Sequence, residues 1–167
     1  MGTIHQFNTK NFRSWMNRKP IFLNQIRREK DIIYGAQSIG AQIPRFISRP
    51  TTDYDVYSKK PQQSARRLDK NLDRSAGGNY YFVKPAQYPG TYKVKYIGPD
   101  GRANTVDDVS VADFSPMHNG IRYVTINGMR YIVLSAVIHD KLYNSKPFRR
   151  EKDRDDVRRI REGMRWR

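Results

Sequence analysis

The 167-residue sequence contains no cysteine, which excludes disulfide staples, thiolate metal sites and a cysteine nucleophile. Its three histidines are scattered, so a histidine-rich zinc site is excluded as well, and any metal has to be held by oxygen. No apolar run approaches the roughly 20 residues of a membrane span, and no apolar signal-peptide core stands at the start. A soluble, cytoplasmic protein without a membrane partner is expected. Acids are scarce too: 16 Asp+Glu stand against 32 Lys+Arg, a formal charge of +16. Such an excess favours polyanions, because each phosphate neutralised by Lys or Arg releases condensed counterions. Nucleic acid is the expected partner.

The length accommodates one domain with short appendages, and an aromatic content of 12% is too high for wholesale disorder. The charge is unevenly spread. Residues 1–30 hold seven bases and one acid, residues 141–167 hold eleven bases and five acids, and the 110 residues between them carry only +4. This division predicts basic ends over 1–30, an N-terminal extension with a short helix, and 141–167, around a nearly neutral middle (31–140); the domain itself is expected over 31–160, leaving a basic tail (161–167). Solubilising arms are the bland alternative.

Within the first segment, Phe22 and Ile26 predict a short helix over 21–30. Ile32-Ile33-Tyr34 reads as a buried strand ending at Gly35-Ala36, followed by a helix with Ile39 and Ile43 on one face. A strand is expected over 51–57. Ala65, Leu68 and Leu72 then place an amphipathic helix over 62–74, stopped by Gly77-Gly78. Strands follow over 80–84, 91–97 and 105–111, and Asn127-Gly128 marks a hairpin between 121–125 and 129–133. Two helices close the chain, the first near Val137 and Leu142, the second over 149–163 with Val157, Ile160 and Met164 as its stripe. The expected fold is α+β (α/β): a small mixed sheet flanked by helices.

Asp53-Tyr54-Asp55 carries the chemical interest. On a strand, side chains at i and i+2 leave the same face about 7 Å apart, so both carboxylates can enter one cleft and bind a hard ion such as Mg²⁺ or Mn²⁺. A solvated edge strand is the alternative. A further acidic element, Asp107-Asp108, lies among Val106, Val109 and Val111, where an unpaired charge would be costly to bury. Three carboxylates from two strands would make a two-metal site; alternatively, one of Asp107 and Asp108 pairs with Lys93 or Lys95 across the sheet. Lys93 and Lys95 alternate with apolar residues and present two ammonium groups to one face. Gly35-Ala36 and Ser38, at a strand-to-helix turn, offer backbone N–H groups and a hydroxyl to triphosphate oxygens.

The set Ile33-Tyr34-Gly35-Ala36, Arg49-Pro50-Thr51-Thr52-Asp53-Tyr54-Asp55-Val56, Pro89-Gly90-Thr91-Tyr92-Lys93-Val94 and Asp107-Asp108 resembles the nucleotidyltransferase superfamily that includes DNA polymerase beta. More narrowly, it is similar to the minimal nucleotidyltransferase-like proteins of microbes and viruses. The resemblance spans about residues 31–160. It implies a transferase that moves a nucleoside monophosphate from a nucleoside triphosphate to a hydroxyl, with Asp53 and Asp55 as paired metal ligands. Asp108 is implied as the third catalytic carboxylate, with Asp107 as the other choice. Gly35 matches the glycine of the family's Gly-Ser signature. The sequence departs from the pattern in having Ala36 at the serine position and eighteen positions between Gly35 and Asp53.

Two functions follow. One is a metal-dependent nucleotidyltransferase acting on RNA or DNA held by the basic ends. The other is a degenerate nucleotidyltransferase fold serving as a nucleic-acid-binding or structural component of a nucleoprotein particle or virion, with a protein partner and a virion-associated location. The missing serine hydroxyl favours the second; the acids favour the first.

Overall fold

The computed structural model describes residues 10–48, 51–98, 100–105 and 108–166. Seven strands form one mixed sheet, and the helices divide between its faces. In chain order the elements are α1 (Lys10–Glu29), β1 (Ile32–Tyr34), α2 (Gly35–Gln42), β2 (Tyr54–Ser58), α3 (Pro61–Ala76), β3 (Tyr81–Pro85), β4 (Tyr92–Tyr96), β5 (Val109–Pro116), β6 (Tyr123–Ile126), β7 (Met129–Ile132), α4 (Leu134–Tyr143) and α5 (Arg150–Met164). A single 3₁₀ turn, Pro147–Arg149, leads into α5. Across the sheet the order is β3-β4-β5-β2-β1-β7-β6. The β2–β5 and β1–β7 pairs are parallel and the other four antiparallel. This is the expected mixed sheet flanked by helices. No helix of the described residues is long and apolar enough to cross a membrane.

One face of the sheet is covered by α1 and α3. Leu68 and Leu72, at the spacing that predicts an amphipathic helix, are fully buried there with Val56, Val94 and Phe114. Pro61 sits in the first turn of α3, and Gly77, at φ 77°, ends it in the left-handed conformation that glycine adopts freely. The opposite face is covered over only part of its width. There Ile39 and Ile43 of α2 pack with Leu134, Val137 and Ile160 of α4 and α5.

The predicted N-terminal extension is not an appendage over residues 10–29. Trp15, Phe22 and Ile26 recur along one side of α1 and are 0–1% exposed in the main core, with the Phe22 ring 4.8 Å from that of Tyr54. Lys10, Arg13, Arg27 and Arg28 are exposed on a helix whose apolar stripe packs in the domain core, and Lys19 lies over the buried Tyr54 ring, so α1 packs as part of the domain. The last helix likewise runs to Met164, with Gly163 packed against Ile43. Phe22→Ala is expected to cost about 3–5 kcal/mol of folding stability by chemical denaturation. A cost below about 1 kcal/mol would mean that α1 does not share the core.

Asp31, in the turn between α1 and β1, is 2% exposed. Burial, then the neighbouring Glu29, pushes its carboxyl up to about 7. The surrounding Ser64 hydroxyl donates to Glu29 Oε2 at 2.9 Å and lies 2.7 Å from Ser58 Oγ. An unfolded aspartate releases its proton near pH 4. Between pH 4 and 7 the folded state therefore binds the extra proton, and stability falls as pH rises through that window. Asp31→Asn is expected to leave the melting temperature unchanged near pH 4 and to raise it by about 5 °C at pH 7.5. A pH-independent difference in calorimetry would contradict this assignment.

Candidate active site

The parallel β2–β5 ladder builds the site. Tyr54, Val56 and Ser58 of β2 are buried toward α1 and α3, so Asp55 and Tyr57 project from the other face. Asp55 lies against Gly35, the first residue of α2. Gly35 has φ 67°, and a Cβ there would collide with the Asp55 carboxylate. Backbone conformation and lack of space both require glycine here.

Asp113 is the ladder partner of Asp55, and Lys93 of β4 is the partner of Asp113 on its other side. The Lys93 ammonium lies 3.6 Å from Asp113 Oδ1. A bulge produces this placement. Lys95 pairs with Ser110, but its neighbour Val94 pairs with Ala112, which leaves Val111 as an extra residue. Val111 and Ala112 are both buried as a result, and the phase of the strand inverts between them. Asp113 thereby points away from the core, where a strict two-residue period from Val109 and Val111 would have buried it.

Asp53 stands one residue before β2. Its Oδ1 accepts a hydrogen bond of 3.3 Å from Thr51, and Gln37 Nε2 donates to the carbonyls of Thr51 and Asp53, tying this approach to α2. Burial, followed by the charges of Asp53 and Asp113, pushes Asp55 up to about 7, against the pull of Arg149 and Lys93. Asp113 is also raised, by burial and by Asp53, with Lys93 acting in the opposite direction. The three carboxylates thus share one electrostatic environment.

The other expected site residues are placed differently. Asp108 precedes β5 and closes a turn, its carboxylate accepting from the Asn104 amide at 2.6 Å and from Thr105 Oγ1 at 3.0 Å. With its oxygens engaged there, it is Asp113 and not Asp108 that β5 brings beside Asp55. Asp107 lies outside the described residues. Ser38 is fully buried; it donates to the Ile132 carbonyl at 2.9 Å and accepts from Gln42, so its hydroxyl binds the end of β7 and does not face a ligand. Ala36, beside Gly35, offers only backbone. Lys93 neutralises Asp113, and Lys95 continues along the same open strand face, where burial and then Lys84 lower its pKa.

A cleft of about 500 Å³ opens on the α2 side of Asp55. Its lining includes Gly35, Tyr57, Tyr88, His118 and, from α4 and the segment before α5, Lys141, Lys146 and Arg149. Tyr34 stacks on Tyr57 with centroids 4.0 Å apart and hydrogen-bonds Ser115. Lys146 lies over the Tyr88 ring, 4.2 Å from its centroid. Lys141 is held by Asp153 and Asp156 at 3.1 and 2.9 Å. The cations that line the cleft therefore come from a region that the sequence reading treats as a nucleic-acid-binding end. Asp113 is not among the residues expected from the sequence, and its local pattern, an acid between Ala112 and Phe114, does not by itself set which face it takes.

Among the described residues no three acidic, histidine or cysteine side chains form a ready-made metal cage. The donor chemistry nevertheless suits a hard divalent cation, since burial, and after it the charges of Asp53 and Asp113, lift Asp55, and positive charge at the three oxygen donors would offset both.

This architecture is a nucleotidyltransferase-like fold. Its likeness lies among solved structures: no protein-family model matches the chain, and no curated protein does. The Megavirus polyadenylate synthase superposes with a TM-score of 0.72 at 17% identity, over 95% of this chain and 33% of that one. JHP933 from Helicobacter pylori superposes with a TM-score of 0.54 at 15% identity, over 89% of this chain and 65% of that one. The chain spans about a third of the length of the first and just under two thirds of the second.

Gly35→Ala is expected to cost about 1–3 kcal/mol, because it adds backbone strain to the collision with Asp55. Urea denaturation checks this, and a neutral result would show that the β1–α2 turn has room to spare.

Proposed function

We propose that this protein is a nucleotidyltransferase that moves a nucleoside monophosphate from a nucleoside triphosphate to a hydroxyl of a nucleic acid. One observation carries the reading: Asp55 and Asp113 are ladder neighbours, coupled to Asp53, beside a cleft large enough for a nucleotide whose lining includes Lys146 and Arg149. Polyadenylate synthesis, the activity in the name of the Megavirus neighbour, is a reaction of this class.

Asp53, Asp55 and Asp113 are the residues to hold Mg²⁺ or Mn²⁺. Bound there, the ion would neutralise charge on the transferring phosphoryl group and acidify the attacking hydroxyl. Lys146 and Arg149 supply positive charge to the triphosphate, and backbone at Gly35 allows its close approach. Tyr57 and Tyr88 offer ring faces to the base. Asp113 lies outside the cleft lining, on the Lys93 side of Asp55, so the acceptor enters from that side. Its carboxylate is placed to take the hydroxyl proton while Lys93 moderates its basicity. The acceptor oxygen then bonds to the α-phosphorus as the bond to the bridging oxygen breaks, and pyrophosphate leaves with the electron pair.

A specific observation favours the non-catalytic alternative: Ala36 has no hydroxyl and that of Ser38 is internally bonded, so α2 presents no serine to a triphosphate. The two readings separate in one experiment. Purified protein, labelled nucleoside triphosphates, Mn²⁺ or Mg²⁺ and an RNA or DNA oligonucleotide are expected to give metal-dependent incorporation. Asp55→Asn and Asp113→Asn should each lower it at least about a hundredfold, or about 2.7 kcal/mol of barrier, whereas Asp108→Asn should change it less than about threefold. Full activity in Asp113→Asn would remove the proposed site. Absence of both incorporation and nucleotide binding would favour the non-catalytic role.

A further inference from the structure

The flank of α5 that faces away from the transfer cleft is an unexplained basic surface. Arg154, Arg158, Arg161 and Arg165 are spaced 4, 3 and 4 residues apart. At about 100° per residue they fall within a sector of about 60°, along about 16 Å of helix. All four line a groove of about 460 Å³ whose apolar components are Leu142 of α4 and Val157 of α5, with Glu162 as its one acid. Arg158 is paired with Asp155, but Arg154, Arg161 and Arg165 have no ion pair among the described residues.

Like charges at i, i+3 and i+4 on a helix repel, and against the three arginines besides Arg158 stand two acids at such spacing, Glu151 three residues before Arg154 and Glu162 three before Arg165. A solvated helix face needs no such alignment, because alternating acids serve solubility equally well. Exposed aromatic rings bracket the stripe. Phe148, two residues before α5, is 81% exposed, and Trp166, directly after Arg165, is 66% exposed and edge-on to Phe46. Aligned guanidinium groups with open ring faces at both ends match the chemistry of a single strand, whose phosphates pair with arginine and whose unstacked bases stack on aromatic rings.

We propose that the α5 arginine stripe is a docking rail for single-stranded nucleic acid, distinct from the transfer site. It goes beyond the reading of the cleft and does not depend on catalysis: the rail would hold a strand even if the three aspartates transfer nothing.

The test is binding of a fluorescein-labelled oligo(U) 20-mer, followed by anisotropy from 50 to 200 mM salt. Three proteins are compared: the unmodified chain, a stripe triple (Arg154→Gln, Arg161→Gln, Arg165→Gln) and an α3 triple (Arg66→Gln, Lys70→Gln, Arg74→Gln) that removes the same net charge from another exposed helix face. The stripe triple is expected to weaken binding at least tenfold at 100 mM salt and to reduce the log–log salt slope by about 2, since each phosphate contact with a single strand contributes about 0.7. The α3 triple should weaken binding less than threefold. In an otherwise unmodified chain, Trp166→Ala should weaken it about fivefold or more with the slope unchanged, a signature of stacking.

Equal losses in the two triples would overturn the proposal in favour of net charge alone. Unchanged oligo(U) binding in the stripe triple would overturn it as well, and if that triple instead lost self-association in sedimentation, the flank would be a protein interface. Repeating the series in the Asp55→Asn background, with the same losses expected, separates failure of the rail from failure of the transfer reading.

Discussion

Asp55 and Asp113 lie side by side in a parallel ladder on the same face of the sheet. At strand spacing and an effective dielectric of about 20, two full negative charges there repel by about 3 kcal/mol. The strands remain paired because their other face is apolar: Val56, Ala112 and Phe114 are 0–1% exposed against α1 and α3. Each large side chain of that set contributes about 1.5–3 kcal/mol, so the core outweighs the repulsion. The carboxylates cannot move apart without unpacking that layer. Burial and, after it, the neighbouring charges push the Asp55 carboxyl up, and Lys93 brings positive charge to Asp113. A rigid apolar layer on one side of the sheet thus sustains electrostatic strain on the other.

The helical hairpin of α4 and α5 contributes to two surfaces. Lys141 joins its halves through Asp153 and Asp156, and Ser145 donates to Asp153 from the intervening segment. Breaking a buried arrangement of this kind by removing one partner leaves an uncompensated charge, which fixes the two helices relative to each other. On one flank the pair presents Lys146 and Arg149 to the carboxylates; on the other it presents the arginine stripe. The charge therefore has local structure: Lys146 and Arg149 border the cleft and four arginines border the groove.

Much of the sheet and its helices is legible in the sequence, because amphipathic spacing in α3 and the Asn127-Gly128 turn are local signals. Asp55 and Gly35 were legible for the same reason, each standing where a strand meets solvent or a helix begins. Asp113 was not. Its orientation depends on a bulge defined by pairing with β4, a non-local contact, and Val109 and Val111 by themselves suggest the wrong phase. Asp108 is the third carboxylate expected from the sequence, because a charged residue beside valines reads as a strand acid, although its carboxylate is satisfied within three or four residues. Charge summed by segment hid α1 in the same way: its net charge suggested an arm, while Trp15 and Phe22, seven residues apart, marked a buried face.

The Val111 bulge also sets how β5 can tolerate change. On either side of it, opposite parities face the core. Deleting Val111 would therefore restore a regular two-residue period, with Val109, Ala112 and Phe114 inward and Ser110 and Asp113 outward. Loss of one residue at this point is thus compatible with the frame on both sides, and what it removes is the packing of one buried valine.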